Sequence, residues 1–255
     1  MEFDPLVREL DAWAAHGRVA SLWWRDDDAL AATPALATLL GLAGAHAVPV
    51  ALAVIPAALD PSLAPALAGS GAAVLQHGYA HRNHAGRGAK SCELGGLRAA
   101  CDIDRDLVAG RASLAQAFAG RYLPVVVPPW NRIDAAVAAR LARLGFAGLS
   151  TFGPRRETPD GVVQCNTHVD PVAWRHGRGF VGVRAACAQM TAHLAARRLG
   201  TADAAEPTGL LTHHLVFDGD TWRFVDALLA RTRGHPGARW IGAAEAFAPT
   251  CGRSA

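Results

Sequence analysis

Short, continuous apolar runs alternate with longer Ala/Leu/Arg-rich stretches along the whole chain. The runs Ala20–Trp24, Val48–Ile55, Ala73–Gln76, Leu123–Val127, Ala147–Thr151, Val162–Val169 and Gly209–Thr212 read as strands, with a weaker one at Arg239–Ile241. Between them, Pro34–Leu42, Ser62–Ala68, Glu93–Phe118, Ile133–Leu144, Val181–Arg198 and Thr221–Ala230 have helical composition. The strand runs are apolar at successive positions, the pattern of strands covered on both faces in a parallel sheet. Strand–helix alternation repeated six to eight times predicts an α/β fold, either doubly wound or a barrel. No internal repeat or linker interrupts it. The loops Gly153–Gly161 and Gly200–Thr208 are the best places for an insertion, and 1–255 reads as one domain.

Composition narrows the class. Hydrophobic residues make up 51% of the 255 and charged residues 18%, so the chain must bury a large core and is not disordered or fibrous. The net charge of +3 arises from 25 basic and 22 acidic residues with no basic block, so no nucleic-acid partner is expected. The apolar stretch Ala29–Leu59 is broken by Thr33-Pro34, Gly41, Gly44 and Pro49. A spanning helix needs about 20 uninterrupted apolar residues, so a helix followed by a buried strand is expected and no membrane span. Five widely spaced cysteines without a CxxC, and an acidic N-terminus, predict a reducing, cytoplasmic setting.

In parallel α/β folds the chemistry gathers in loops beyond the carboxyl ends of the strands. Four such places stand out. Arg25-Asp26-Asp27-Asp28 follows the first predicted strand; three adjacent carboxylates call for a cation, or else Asp28 caps the next helix. His77 and His81 follow the third strand, four apart, and reach one metal ion if the backbone between them turns helically. Trp130 and Asn131 follow Pro128-Pro129, which stiffen the exit from a buried strand; Trp130 is either a packing residue or a flat surface for a sugar ring. His213 and His214 end the last clear strand, where alternation lets only one of them face the centre. One carboxylate and two imidazoles leave coordination positions open on a divalent ion, as catalytic zinc sites do. The same triad suits a non-haem iron oxygenase, which the strand–helix alternation disfavours.

These residues, in this order, resemble the polysaccharide deacetylases of carbohydrate esterase family 4, the NodB-homology domain. The family's Thr-Phe-Asp-Asp is similar to Asp26-Asp27-Asp28, its His-Ser/Thr-x-x-His to His77–His81, and its Leu-x-His to Leu211-Thr212-His213. Its Arg-x-Pro-aromatic segment is similar to the stretch ending at Trp130, and its Asp-x-x-Asp-Trp to Asp170–Trp174. The likeness spans nearly the whole chain. Three positions depart from it: Val127 stands at the motif arginine, Gly78 at the hydroxyl residue between the histidines, and Arg25-Asp26 at Thr-Phe.

The resemblance implies a distorted (β/α) barrel of about seven strands and a metal-dependent hydrolase of N-acetyl groups on amino sugars. It places the metal on Asp28, His77 and His81, with zinc first and manganese or cobalt as alternatives. Asp27 becomes the general base, oriented by Arg25, and His213 the acid that protonates the leaving amine. Trp130, Asn131, Asp170 and Trp174 fall along the substrate groove. The departures imply a divergent branch. They keep open a non-catalytic carbohydrate-binding protein on a degenerate deacetylase scaffold, and a cytosolic amidase or formamidase acting on a small non-sugar amide. Oligomeric state, and the roles of His84, His168 and His214, are not legible.

Overall fold

In the computed structural model, which describes residues 2–155, 159–175 and 177–249, strand and helix alternate as the hydrophobic pattern predicts. The strands are β1 (Ala20–Ala29), β2 (Ala51–Val54), β3 (Ala73–His77), β4 (Tyr122–Val127), β5 (Gly148–Leu149), β6 (Val163–Gln164), β7 (Thr208–Thr212) and β8 (Ala238–Trp240). The helices are α1 (Asp4–Ala15), α2 (Pro34–His46), α3 (Leu63–Ala66), α4 (Ala100–Ala117), α5 (Ala135–Ala138), α6 (Val183–Leu199), α7 (Gly219–Thr232) and α8 (Ala243–Ala246). The sheet runs β6-β5-β4-β3-β2-β1-β7, with β8 added beside the start of β1, and every pairing between these strands is parallel.

The expected strand Val162–Val169 is only partly regular. After β6 the chain bends, bridging Thr167 to Phe152 and then Val169 to Leu210 on β7. Those bridges join the two ends of the curled sheet. The result is a distorted barrel with seven strands in its main path: of the two architectures the pattern left open it is the barrel, as the resemblance implied.

Alternation along β1 sets up the site. Trp23 points inward, among Ala51, Ala53, Leu75, Val125 and Val127, with Phe247 and Ile241 across one end. Leu22 and Trp24 point outward into the layer packed by α1, α2, α6 and α7. A period of two therefore sends Arg25 and Asp27 to the inside and Asp26 to the outside.

Four sequence expectations are corrected. β1 does not stop at Trp24 but carries the three aspartates within it as far as Ala29, because Arg25 and Asp26 pair with both β2 and β7, Ala29 resumes the pairing with β2 after an irregularity, and the charges of residues 25–27 are satisfied internally. Asp28 does not cap α2; Thr33 does, through its side chain. The helix expected from Glu93 begins at Ala100, since Gly95 and Gly96 take positive φ and end regular structure there. Helix α1, which the pattern reading passed over, is amphipathic and buries Leu6, Leu10 and Trp13, with the Trp13 Nε1 donating to the Leu194 carbonyl.

Candidate metal centre and active site

Asp28, His77 and His81 converge at the carboxyl ends of β1 and β3. Asp28 Oδ1 lies 3.1 Å from His77 Nε2 and 3.4 Å from His81 Nε2. Ligands of an ion with bonds of about 2.1 Å stand about 3.0 to 3.4 Å apart, so the spacing fits. The donor set fits as well. His77 Nδ1 faces the Val127 carbonyl at 2.9 Å, a contact satisfied only by a protonated Nδ1, which leaves the Nε2 lone pair aimed at Asp28. Asp28 Oδ1 is buried and accepts no hydrogen bond. An acceptor facing two imidazole nitrogens in this way is resolved by a cation. Electrostatics agree: although burial works against its charge, His77, His213 and His81 hold the Asp28 carboxyl well below the ordinary carboxylate range. Burial also works against a charged His77, yet Asp28 and Asp27 raise it, whereas burial and the neighbouring His77 lower His81.

The backbone that brings the histidines together is not the helical turn expected from their spacing. Residues 78–84 form an irregular loop in which Gly78 has φ +52° and His81 φ +54°. A buried carboxylate shapes it: Glu93 accepts hydrogen bonds from the main-chain N–H of Tyr79 (3.1 Å) and Ala80 (2.7 Å). Gly78 is required here. A Cβ at that position would stand 2.0 Å from Glu93 Oε2 and 2.6 Å from the Pro129 ring, so the hydroxyl residue of the family's motif does not fit this loop. Glu93 escaped sequence analysis, which placed it in a helix.

Asp27 is buried and held by Arg25 in a two-pronged ion pair, Nε to Oδ1 at 2.8 Å and Nη2 to Oδ2 at 3.0 Å. Arg25 is itself fully buried. Its other N–H groups donate to Asn131 Oδ1 (2.7 Å), Ser150 Oγ (2.6 Å) and the Thr151 carbonyl (3.3 Å). Val127, at the motif arginine's place, is an ordinary member of the barrel's apolar interior. The guanidinium that Asp27 meets comes from β1, two residues before it. Asn131 accepts from Arg25 and also borders a cleft of about 690 Å³, together with Arg132, Asp134, Leu149 and Gln164.

Two tryptophans flank the histidines. Trp130 packs its ring 4.5 Å from that of His81, and Trp174 stands edge-on to His213 at 4.7 Å. The Trp174 Nε1 donates to Asp170 at 2.7 Å. Burial raises the Asp170 pKa against the opposing pull of His213. Ala173 occupies the second aspartate position of the Asp-x-x-Asp-Trp pattern. Among the described residues, six non-glycines have positive φ, and four of them are Asp28, His81, Trp130 and Asn131. Each costs on the order of 1–3 kcal/mol, and such outliers collect where a site demands a geometry.

A second group, His168, His193 and Glu206, also brings three potential ligands close together. It does not suit an ion. The two imidazoles stack face to face, 3.4 Å apart and within 13° of parallel, so their in-plane lone pairs run side by side rather than converging. His168 Nδ1 accepts from the Gly209 N–H, which leaves the proton of the neutral ring on Nε2.

Fold and geometry together give a distorted parallel barrel with a convergent Asp-His-His group at its mouth, a fold shared with polysaccharide deacetylases of known structure. No family model and no curated protein matches the chain. Solved structures do. A protein from Mycobacterium smegmatis assigned as a polysaccharide deacetylase is similar with a TM-score of 0.62 at 19% identity, over 88% of this chain and 87% of that one. The peptidoglycan N-acetylglucosamine deacetylase Bc1960 is similar at 0.56 and 16%, over 90% and 88%. A mutant of BA3943, a family 4 pseudoenzyme with restored enzymatic activity, is similar at 0.59 and 14%, over 89% and 67%.

Proposed function

We propose that the chain, read as one catalytic domain over 1–255, is a metal-dependent hydrolase that removes the acetyl group from an N-acetylated amino sugar or related amide. The observation that carries this reading is the convergence of Asp28, His77 and His81 beside an Asp27 already locked by Arg25. A divalent ion bound to these three, zinc first, supplies a water of lowered pKa and polarises the acyl oxygen.

The chain's own residues do the rest. Asp27 takes the proton of the attacking water, and its two-pronged bond to Arg25 fixes the carboxylate's direction. His213, at the end of β7, gives a proton to the leaving amine. Trp174 restricts the His213 ring by edge contact, and Asp170 restricts Trp174 in turn. Trp130 and Trp174 offer flat apolar faces on which a sugar ring can lie. The Arg25–Asp27 geometry favours an active protein over a non-catalytic carbohydrate binder, because a buried carboxylate fixed in direction by a two-pronged guanidinium is what a base needs and a binding surface does not. The four described cysteines, Cys92, Cys101, Cys165 and Cys187, are free thiols, and we assign the protein to a reducing, cytoplasmic setting on that ground. No helix among the described residues is long and apolar enough to cross a membrane.

His77→Ala and His81→Ala test the site. Both are expected to fold and to lose the metal at micromolar concentration, read by elemental analysis after dialysis. Full metal content in both variants refutes the assignment.

A further inference from the structure

The mechanism above leaves the fully buried Asp26 unused. Asp26 lies on the outward face of β1, in line with Leu22 and Trp24, in a layer built mainly of apolar side chains. A carboxylate sealed there costs several kcal/mol unless its oxygens are satisfied. All three hydrogen bonds that Asp26 accepts come from β7 and the turn after it: Thr212 Oγ1 at 2.6 Å, the His214 N–H at 3.1 Å and His214 Nδ1 at 2.5 Å. Thr212 Oγ1 also accepts from Trp24 Nε1 at 2.8 Å, so the network is tied back into β1. The donors belong to residues 212 and 214. They bracket His213, whose own imidazole faces the other way, toward Trp174, with an Nδ1 that is buried and accepts or donates no hydrogen bond.

We propose that Asp26 and His214 form a positioning pair that aims His213 at the leaving amine by clamping the main chain on both sides of it. This rests on His213 being the general acid of the proposed reaction. Packing alone would be met by an apolar residue at 26, without the desolvation cost. What a carboxylate adds is direction: three bonds to two residues fix where the chain leaves β7 before it turns at His214–Val216. A proton donor displaced by about 1 Å loses on the order of 10²-fold in rate, so the placement of residue 213 repays such a device. Asp26 and His214 touch neither substrate nor metal in this assignment.

The test uses leaving groups. Metal-loaded wild type, Asp26→Asn, His214→Gln, His213→Ala and the double variant Asp26→Asn/His213→Ala are compared on an N-acetylglucosamine oligomer and on 4-nitrophenyl acetate. The amine must be protonated as it leaves and 4-nitrophenolate need not be. Asp26→Asn should lower kcat on the oligomer by about tenfold with KM little changed, keep full metal content, and leave ester turnover within about twofold. In the His213→Ala background it should add nothing. His214→Gln, which spares the Thr212 and main-chain bonds, should show the same pattern more weakly, and it carries the test if Asp26→Asn does not fold. Equal losses on both substrates, additive losses with His213→Ala, or loss of metal from Asp26→Asn overturn the pairing. If loaded wild type acts on neither substrate, the proposed function fails instead. The pairing is then read from NMR of the His213 ring, where one ordered state in wild type should become averaged in Asp26→Asn. An unchanged His213 spectrum overturns it.

Discussion

Three consecutive aspartates do three different things because a strand alternates and then breaks. Asp27 faces the barrel interior and meets Arg25; Asp26 faces the helix layer and meets His214; Asp28, at φ +69°, swings out of the strand to face the histidines. Substitution by asparagine should separate them. A base can lose its charge without emptying the site, whereas a neutral amide binds a divalent ion poorly. Asp27→Asn should keep the metal and lose roughly 10²–10⁴-fold in turnover. Asp28→Asn should lose metal and activity together, and Asp26→Asn should be the mildest. Metal analysis beside kcat decides it: an empty Asp27→Asn protein with a loaded, dead Asp26→Asn protein shifts the register by one residue. The partnership of Arg25 with Asp27 was expected from the resemblance, but its basis was not legible, because the strand that puts both on one face was read as ending at Trp24. Nor was it legible that Ser150, Thr151 and Asn131 would complete the guanidinium's bonds, because those contacts cross more than 100 residues.

At the scale of elements, hydrophobic runs located the strands because burial on both faces leaves a plain signature. Loops were harder. The His77–His81 spacing suggested a helical turn, but the loop between the two histidines is instead held by Glu93, from a segment that composition assigned to α4. The Gly95-Gly96 pair was the available signal against that helix, and positive φ at both shows its force. Glu93 organises the loop without touching the metal group. Glu93→Ala should therefore leave strand content unchanged by circular dichroism while weakening metal affinity 10- to 100-fold, the scale of losing a supporting contact. Unaltered affinity by calorimetric titration would show that the loop holds its shape without the carboxylate. Val162–Val169 read as one strand, although the irregular stretch after β6 serves two neighbours in turn.

For the whole molecule, the stacked pair His168–His193 governs the acid side of stability. Burial, with help from His168 and Arg197, pushes His193 down to about 2, and burial lowers His168 as well. In the unfolded chain each takes up a proton near pH 6.5; in the folded protein His193 does so only at about 2, and His168 below its ordinary value. The unfolded state thus binds more protons below 6.5, and stability is complete above that pH and falls as pH drops toward the folded values, by about 1.4 kcal/mol per pH unit for His193. The raised histidines, His77 and His214, act on the other side, losing their contribution as pH rises above 6.5. The lowered Asp28 matters only below about 4, the ordinary aspartate value. Urea unfolding of wild type and His193→Gln at pH 7 and pH 5 isolates the effect. The wild type should lose about 2 kcal/mol more than the variant over that interval, and parallel losses would remove His193 from the account.

The central claim is that Asp28, His77 and His81 hold an ion that this barrel uses to hydrolyse an acetamide. The most direct measurement is acetate released from an N-acetylated oligosaccharide by metal-stripped protein as zinc, manganese or cobalt is added back. The account predicts no release from the stripped protein and a rise that saturates near one equivalent of metal per chain. Release that ignores the metal, or none at any loading, contradicts it.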